Sequence, residues 1–370
     1  MYLSDVPMAS DEATADIESL EKSDADPPYL YGMEITPSRI VDGQTVTVTA
    51  DVEDDISGVK SVMGVLKSPS GKSYQSFYCR ETPEPGRFSG KVVIPKDAER
   101  GEWYLSSVTV KDKAGNSYAY HATKDPVIQS VALLVESSGS DSTPPELTGI
   151  KVPSSSIQDG ETIKIGIDAL DDYSGVKSIW GSFRSPSSTA TAGFTGRPTE
   201  RAGVFEATVR IPKNAEHGEW KIKYVQLTDK AGNRRSYQET DPILLQAVIF
   251  VSSSESDADP PLLKSVVLSP KIVNQNGTVI VTVRVEDEMS GPKSVTGWAR
   301  NPAQTGRIIF TCKQQELDPD LFVGQLIIPE NAQVGEWFID SVHVYDKANN
   351  LKLYLASRDK ELADATFEVK

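Results

Sequence analysis

Short runs in which hydrophobic and polar side chains alternate recur along the whole chain. In the run 45–52, Thr-Val-Thr-Val-Thr-Ala-Asp-Val, every second side chain lies on the same face, which predicts a half-buried β-strand. The dipeptide Asp42-Gly43 before it is typical of a hairpin turn. Similar runs, separated by turn-forming residues, predict strands at 59–67, 73–79, 90–95, 103–111, 117–122 and 127–135. No helix longer than a short turn is predicted.

The same pattern appears three times. The motif Asp-Asp-Ile-Ser-Gly-Val-Lys-Ser at 54–61 returns, with small changes, at 171–178 and 287–294. The glycine positions step by 117 and 116 residues (175 − 58 and 291 − 175). A second motif, Asp-Lys-Ala-Gly-Asn at 112–116, returns unchanged at 229–233 and as Asp-Lys-Ala-Asn-Asn at 346–350. The chain is therefore three copies of one unit, and each copy has the length of an independent domain.

Three similar hexapeptides mark the unit boundaries, and we call them joints 1, 2 and 3. They are Ser-Asp-Ala-Asp-Pro-Pro at 23–28, Ser-Asp-Ser-Thr-Pro-Pro at 140–145 and Ser-Asp-Ala-Asp-Pro-Pro at 256–261. The predicted organisation is a disordered acidic segment with linker (1–26), unit 1 (27–137), a linker (138–143), unit 2 (144–253), a linker (254–259) and unit 3 (260–370). The paired prolines stiffen each entry. Because unit 1 also begins with a joint, a further unit upstream is expected.

Seven or eight short strands in each unit predict an all-β fold class, with three tandem antiparallel β-sandwich domains in an elongated array. Trp103, Trp220 and Trp337 stand at equivalent positions, and each is expected to anchor a core. Cys79 and Cys312 occupy the same position in units 1 and 3, so they cannot pair within one unit and are expected to be small core residues.

The net charge of −15 argues against nucleic acid or an anionic membrane as a partner, since both require a positive surface. No window approaches the eighteen or so apolar residues of a transmembrane helix, and residues 1–24 do not have the pattern of a signal peptide. We therefore expect the processed form of a secreted protein or a part of a longer one.

A non-enzymatic protein is predicted, because no catalytic set is visible. The three histidines, His121, His217 and His343, fall at different positions within their units. There is no Gly-x-Ser-x-Gly elbow, no His-Glu-x-x-His motif and no phosphate-binding loop.

Acidic side chains form the one group of residues in the sequence that indicates a binding site. In an immunoglobulin-type sandwich, the start of the first strand and the loops after the second and sixth strands lie at one end of the domain, which we call the pole. That placement gathers carboxylates whose mutual repulsion a cation would relieve, and calcium accepts such oxygen ligands with loose geometry. The candidate ligands are Asp24, Asp26, Glu53, Asp54, Asp55 and Asp112 in unit 1; Asp141, Asp171, Asp172 and Asp229 in unit 2; and Asp257, Asp259, Glu286, Asp287, Glu288 and Asp346 in unit 3. The alternative is that the same residues only form turns, with Asp as a turn cap and Gly or Asn at positive φ.

The motifs at 54–61, 101–104 and 110–116 resemble those of bacterial immunoglobulin-like repeats, which occur in tandem in secreted and cell-surface proteins. The resemblance implies an immunoglobulin-type sandwich, an extracellular bacterial setting and a role in adhesion, display or spacing toward a protein or glycan ligand. The joints are also similar to the acidic linkers of cadherins, in which calcium stiffens successive domains. A rod-like surface protein is thus the leading hypothesis.

Two alternatives stay open. The units are accessory modules of a larger secreted hydrolase, such as a peptidase or glycosidase, or they bind carbohydrate. The second alternative requires exposed aromatic side chains, and the candidates are Trp180, Trp298, Tyr74 and Tyr118.

Overall fold

A computed structural model describes residues 23–153 and 156–370. Unit 1 contains nine strands, and a helical turn at Pro126–Gln129 precedes the last one. These strands are β1 (Tyr29–Thr36), β2 (Arg39–Val41), β3 (Thr45–Glu53), β4 (Val59–Lys67), β5 (Tyr74–Glu81), β6 (Arg87–Val93), β7 (Gly101–Asp112), β8 (Ser117–His121) and β9 (Ala132–Glu136).

Units 2 and 3 repeat this order, each with a short 3₁₀ turn in place of the helical turn, at Pro242–Leu244 and Lys360–Leu362. The strands of unit 2 are β10 (Glu146–Lys151), β11 (Ile157–Gln158), β12 (Thr162–Leu170), β13 (Val176–Arg184), β14 (Thr191–Pro198), β15 (Val204–Arg210), β16 (Gly218–Asp229), β17 (Arg234–Gln238) and β18 (Val248–Ser252). The strands of unit 3 are β19 (Leu262–Ser269), β20 (Ile272–Val273), β21 (Thr278–Glu286), β22 (Pro292–Arg300), β23 (Arg307–Gln314), β24 (Leu321–Ile327), β25 (Gly335–Asp346), β26 (Leu351–Leu355) and β27 (Thr366–Val369). None of the described helical turns exceeds four residues, so none could cross a bilayer.

Each unit is a sandwich of two sheets. In unit 1 the first sheet pairs β1 with β3 and β3 with β6, and the second pairs β4 with β7. Strand β5 joins the two sheets, because its first part pairs with β4 and its end pairs with β6. The long strand β7 pairs with β9 at its start and with β8 at its end, and β2 runs parallel to β9. The predicted fold class of three tandem β-sandwich domains is confirmed.

Alternation in the sequence builds the cores. In β3, Val46, Val48, Ala50 and Val52 are fully buried, while the intervening polar residues are turned away from the core. Each unit has its own cluster of buried side chains, so each unit has its own core. Trp103, Trp220 and Trp337 are fully buried, as predicted.

The glycine in the middle of β4 has a packing role. A Cβ built on Gly64 would lie 2.3 Å from the ring of Phe77, and the equivalent Gly181 and Gly297 face Phe194 and Phe310 in the same way. Only glycine leaves room for the ring of the neighbouring strand at this position. Cys79 and Cys312 are buried free thiols, as expected for small core residues.

The three units form a closed ring, and the predicted elongated array is corrected by this result. Isolated antiparallel bridges join units 1 and 2 at Ser73–Asn233 and units 2 and 3 at Ala190–Asn350. A third bridge, Asn116–Gly306, joins unit 3 back to unit 1. Every unit therefore contacts both others. The same edge of each unit meets the pole of the next, and this head-to-tail contact closes after three copies.

The joints make equivalent contacts at all three interfaces. The amide of Asp141 in joint 2 donates to the carbonyl of Asp97 in unit 1 (2.8 Å), and Asp257 in joint 3 donates to Asn214 in unit 2 (2.9 Å). The amide of Asp24 in joint 1 donates to the carbonyl of Asn331 in unit 3 (3.0 Å). Joint 1 thus contacts unit 3 in the same way that joints 2 and 3 contact units 1 and 2.

Residues 23–26, which the sequence placed in a disordered segment, are held by these contacts. The amide of Val334 also donates to Ser23 Oγ (2.9 Å), so both joint 1 and unit 3 contribute donors. The prediction of disorder for residues 1–22 lies outside the described residues.

Candidate functional site

Three carboxylates meet at the pole of unit 1, each from a different segment. Asp24 comes from joint 1, Asp54 follows β3, and Asp112 ends β7. One oxygen of each lies within 4.8 Å of one oxygen of the others. Asp24 and Asp112 are fully buried and Asp54 is partly buried. The structure therefore brings together three of the six residues predicted for this unit.

The buried Asp112 organises the turn that follows β7. Its Oδ1 accepts hydrogen bonds from the backbone amides of Gly115 (2.5 Å) and Asn116 (2.8 Å), and its Oδ2 accepts one from Asn116 Nδ2 (2.8 Å). Gly115 has φ +107°, a conformation that favours glycine. The turn chemistry named as the alternative interpretation is thus present in the structure.

Asp54 organises the second turn in the same manner, but with one oxygen only. Its Oδ1 accepts from the backbone amide of Gly58 (2.6 Å) and from Ser57 Oγ (3.3 Å). Its Oδ2 is buried and has no hydrogen-bond partner among the described residues. An unpaired buried carboxylate oxygen is costly, so this oxygen is open to a further electropositive group.

Asp24 links joint 1 to both turns. Its side chain accepts hydrogen bonds from the backbone amide of Ser57 (3.2 Å) and from Asn116 Nδ2 (3.3 Å). The joint is therefore fixed against the pole by the same carboxylate that completes the acidic cluster.

The other two units repeat the arrangement, but unit 2 differs in its third carboxylate and unit 3 has no buried cluster oxygen that lacks a described partner. In unit 3 the three residues Asp257, Asp287 and Asp346 take the equivalent places. In unit 2 the oxygens within 4.8 Å of one another belong to Asp141, Asp171 and the exposed Asp172. The cluster oxygen of this unit that is buried without a described hydrogen-bond partner is Asp171 Oδ1.

Asp229, which is equivalent to Asp112 and Asp346, is not a member of the unit 2 triple. It is buried, and its side chain accepts hydrogen bonds from the backbone amide and Nδ2 of Asn233 (2.8 and 2.9 Å).

Burial and mutual repulsion raise the pKa values of several of these carboxyl groups. Burial, with the charge of Asp24 as a smaller cause, raises the pKa of Asp112 to about 7. Burial raises the pKa of Asp346 to about 7 and that of Asp229 to about 6, and neighbouring aspartates contribute in both units. The pKa of Asp24 is raised by burial and by the nearby Asp54. Full ionisation of each cluster at neutral pH therefore requires compensation by positive charge.

A lysine lies near each cluster without neutralising it. A Cβ on Gly58 would be 3.1 Å from Lys113 Nζ, and Lys230 and Lys347 have the same relation to Gly175 and Gly291. None of these ammonium groups forms an ion pair with a carboxylate that the structure describes. They cover the Ser-Gly turn and leave the cluster oxygens free of salt bridges.

The remaining predicted ligands lie outside the three clusters. Glu53 accepts a hydrogen bond from Tyr31 Oη (3.2 Å), and Glu286 pairs with Lys264 (2.8 Å). The backbone amide of Asp259 donates to Asp257 Oδ1 (3.2 Å). The other predicted ligands that lie outside the described clusters are exposed, namely Asp26, Asp55 and Glu288.

The asparagine that closes each second motif was missed as a contact residue. Asn116, Asn233 and Asn350 are fully buried, and the Nδ2 of each donates to the backbone carbonyl of the aspartate in its joint (3.2, 3.1 and 3.2 Å). Their recurrence at one position was the available signal. The sequence interpretation assigned them only to turns.

The donor set fits calcium on chemistry and spacing. Calcium–oxygen distances are roughly 2.3–2.6 Å, so two ligands of one ion stand up to about 5 Å apart. The 4.8 Å limit on the cluster oxygens lies within that range. The unpartnered Asp54 Oδ2 and Asp171 Oδ1 each provide an oxygen that accepts no other described hydrogen bond.

The aromatic candidates for carbohydrate binding differ in exposure. Trp180 is 42% exposed and meets Tyr224 edge to face, whereas Trp298 is partly buried against His343. Tyr74 is covered by the guanidinium of Arg234, whose Cζ lies 3.4 Å from the ring centroid. Tyr118 is 47% exposed and lines a groove of about 500 Å³ together with Tyr29, which is 66% exposed.

No family model matches the sequence, and no curated protein matches it. Among solved structures, the N-terminal eight immunoglobulin domains of the Down syndrome cell adhesion molecule align with 93% of this chain and 37% of that structure, at 13% identity and a TM-score of 0.19. The D00–D0 domain of intimin aligns with 55% of this chain and 95% of that structure, at 10% identity and a TM-score of 0.17. Murine CEACAM1b aligns with 61% of this chain and 99% of that structure, at 9% identity and a TM-score of 0.20.

At TM-scores this low, these similarities add nothing to what the strand order shows. In unit 1, β1, β3 and β6 of the first sheet correspond to the first, second and fifth strands of an immunoglobulin sandwich. In the second sheet, β4 and β7 correspond to the third and sixth strands, and β8 and β9 together correspond to a seventh strand split in two. Units 2 and 3 have the same order. The units are immunoglobulin-like domains.

Proposed function

We propose that this chain is a non-enzymatic module of an extracellular or cell-surface protein, in which three immunoglobulin-like domains form a ring that calcium stabilises at the joints. One observation carries the proposal. At each interface the joint aspartate contacts the preceding unit through its backbone and reaches the acidic cluster of the following unit through its side chain. A cation at the cluster would therefore stabilise a domain pole and an interface together.

The ring favours display or adhesion over spacing. A spacer works by its length, whereas here each unit contacts both others and the chain does not extend. A protein or glycan ligand would meet three poles and three interfaces held in a fixed relation. A place as an accessory part of a larger secreted hydrolase stays an open alternative.

Thermal unfolding of the metal-stripped protein tests the calcium sites. Millimolar calcium is expected to raise the unfolding temperature, because an ion that binds only the folded state adds about 2.7 kcal/mol at a hundredfold excess over its Kd. Magnesium is expected to have less effect, since it demands a stricter geometry and retains its water.

Two neighbouring variants give a matched pair. Asp54→Asn is expected to reduce the calcium shift, whereas Asp55→Asn changes an exposed carboxylate outside the cluster and is expected to preserve it. An equal shift for both variants, or no shift in the unaltered protein, would leave these aspartates as turn formers only.

Carbohydrate binding is a second candidate, which the tyrosine groove of unit 1 favours. Tyr29 and Tyr118 present their rings at the groove, and exposed aromatic rings are suitable surfaces for sugar stacking. Binding to a glycan panel that Tyr118→Ala abolishes would support this function. Tyr78→Ala is the control, because Tyr78 is also exposed (49%) but does not line the groove. The absence of glycan binding by the unaltered protein would remove this candidate.

A further inference from the structure

A cleft of about 480 Å³ lies between units 2 and 3, and none of the cluster carboxylates or groove tyrosines lines it. Unit 2 contributes Arg210 and Lys213, at the end of β15 and just after it. Unit 3 contributes Lys293, Lys347 and Asn349. The cleft is thus formed only when the two units are in contact.

The lining of this cleft is strongly positive in an otherwise acidic chain. It carries four cationic side chains and no carboxylate, whereas the whole chain has a net charge of −15. None of the four cations forms an ion pair with a described carboxylate. The Lys293 ammonium donates to Asn349 Oδ1 (2.7 Å), which uses one of its three protons.

The nearest acidic neighbour along the chain does not cancel this charge by direct pairing. Asp346 precedes Lys347, but it is fully buried, and its two oxygens accept hydrogen bonds from the backbone amide and Nδ2 of Asn350 (both 2.8 Å). Arg210 and Lys213 also line a neighbouring pocket that contains Asp159, Glu161 and Glu255, but neither cation forms an ion pair with these carboxylates among the described residues.

Interface contacts beside the cleft hold its two halves together. Thr189 and Ala190 lie just before the part of β14 that lines the cleft. The carbonyl of Thr189 accepts a hydrogen bond from the amide of Leu351 (3.0 Å), and its hydroxyl donates to Asn350 Oδ1 (2.7 Å). The cations of unit 2 are therefore positioned relative to those of unit 3 before any ligand binds, which lowers the entropic cost of binding.

Comparison of the three interfaces singles out this one. The two lysines of unit 3 recur in the other units, as Lys60 with Lys113 and Lys177 with Lys230. Arg210 and Lys213 do not recur as a pair. Their equivalents are Val93 with Lys96 in unit 1 and Ile327 with Glu330 in unit 3. Since the repeat folds without them, the fold does not require the Arg210 and Lys213 pair.

We propose that the cleft binds a sulfate or phosphate group, which is a tetrahedral oxyanion that can carry two negative charges. A guanidinium donates two parallel hydrogen bonds to such a group, and the ammonium groups of lysine act as compact point charges around it. Unlike the calcium proposal, this inference does not depend on the acidic clusters.

Calorimetric titration at constant ionic strength tests the proposal. The ligands are glucose 6-sulfate and glucose 6-phosphate, with glucose as the uncharged control. Saturable binding of one or both charged sugars and none of glucose is expected. A preference between the two distinguishes a sulfated from a phosphorylated source. No saturable binding of either would overturn the proposal.

Two variants copy residues that the chain already uses at the equivalent positions of unit 3. Lys213→Glu and Arg210→Ile are each expected to weaken binding at least tenfold, without lowering the unfolding temperature. Lys223→Glu makes the same charge change at an exposed position of β16 outside the cleft, and it is expected to bind as the unaltered protein does. Equal losses for Lys213→Glu and Lys223→Glu would show a general charge effect and would refute the site.

Discussion

Joint 1 makes the same contacts as joints 2 and 3, but it is not the covalent link between the two units that it holds together. Joints 2 and 3 each connect the two units that they hold together, so their contacts are between chain neighbours. Joint 1 contacts unit 3, although more than 300 residues separate Ser23 from Val334. Equivalent backbone hydrogen bonds form in all three cases (2.8–3.0 Å). The contacts of the joint itself, rather than the covalent link through it, therefore define how successive units meet.

The buried asparagine of the second motif shows how the interfaces differ. Asn116 Oδ1, at the interface with unit 3, accepts from Asn301 Nδ2 and from Thr305 Oγ1 (both 2.8 Å). Asn233 Oδ1, at the interface of units 1 and 2, is buried with no partner among the described residues. The interface without a covalent link thus has the more complete hydrogen bonding at this position.

The largest effect is expected from replacing joint 1. If residues 23–26 are replaced by Gly-Ser-Gly-Ser, the interface between units 3 and 1 loses the side-chain contacts of Ser23 and Asp24 and is expected to open. A twelve-residue strand such as β7 is about 40 Å long, so the distance between the two units should change by a comparable amount. Spin labels on exposed positions of units 1 and 3 measure this distance.

The same replacement at residues 140–143 is the control for this experiment. There the chain still tethers units 1 and 2, so a smaller change in distance is expected. An unchanged distance after replacement of joint 1 would show that the joint does not close the ring.

A circular permutant tests the equivalence of the joints directly. Val135 and Val369 have the same register against Gly101 and Gly335, and three residues, Ser-Ser-Gly at 137–139, connect Glu136 to joint 2. A Ser-Ser-Gly link from Lys370 to Ser23, with the chain opened between Gly139 and Ser140, should therefore produce the same ring. Small-angle scattering is expected to give an unchanged radius of gyration, and a clear increase would show that joint 2 requires its covalent link.

Removal of the interface asparagines should have unequal effects. Asn116→Ala removes the Oδ1 acceptor of Asn301 and Thr305, which keep only their mutual contact and that of Thr305 with the Ala25 carbonyl, so it should destabilise its interface by about 2–3 kcal/mol. Asn233→Ala removes an oxygen that has no described partner and should cost about 1 kcal/mol. Hydrogen exchange of the Ser117 and Arg234 amides reports the two interfaces, since they donate to Thr305 and Lys72 across them (both 3.1 Å). Equal acceleration of exchange would contradict the comparison.

Arg234→Ala should weaken the interface of units 1 and 2 by about 1–2 kcal/mol. The guanidinium of Arg234 stacks on Tyr74 and donates to its carbonyl (3.0 Å), and these contacts cross the interface. The amide at position 234 should then exchange faster. Arg235→Ala is the matched control, because Arg235 lies over Tyr237 within unit 2. If both variants exchange alike at this amide, the cation–π contact has no role in the interface.

A dependence of stability on pH is also expected. The pKa values of Asp112 and Asp346 are about 7 in the folded protein and that of Asp229 is about 6, all above the ordinary value of 3.8. Between pH 4 and 7 the folded chain therefore binds more protons than the unfolded chain, and stability falls as pH rises. Without metal, the unfolding temperature should be higher at pH 5 than at pH 7.5. Calcium should reverse this order, since it binds the ionised carboxylates.

Much of the candidate site follows from local sequence. The carboxylates of Asp54 and Asp112 follow β3 and end β7, and alternation alone places those strands. The convergence of the two at one pole follows from the immunoglobulin order of strands. The sequence did not show that Asp54 belongs to the cluster and Asp55 does not, because cluster membership depends on which of the two side chains the turn directs inward.

Periodicity and repetition determined the three β-sandwich units, their buried tryptophans and the acidic poles, because these depend on contacts within one unit and on strand order. Only the tertiary structure decided that the array closes. Ring closure depends on the rotation between successive units, and a small change in that rotation would give an open row from the same local contacts. Asn116 and Thr305 meet for the same reason, since their contact exists only once the third unit returns to the first.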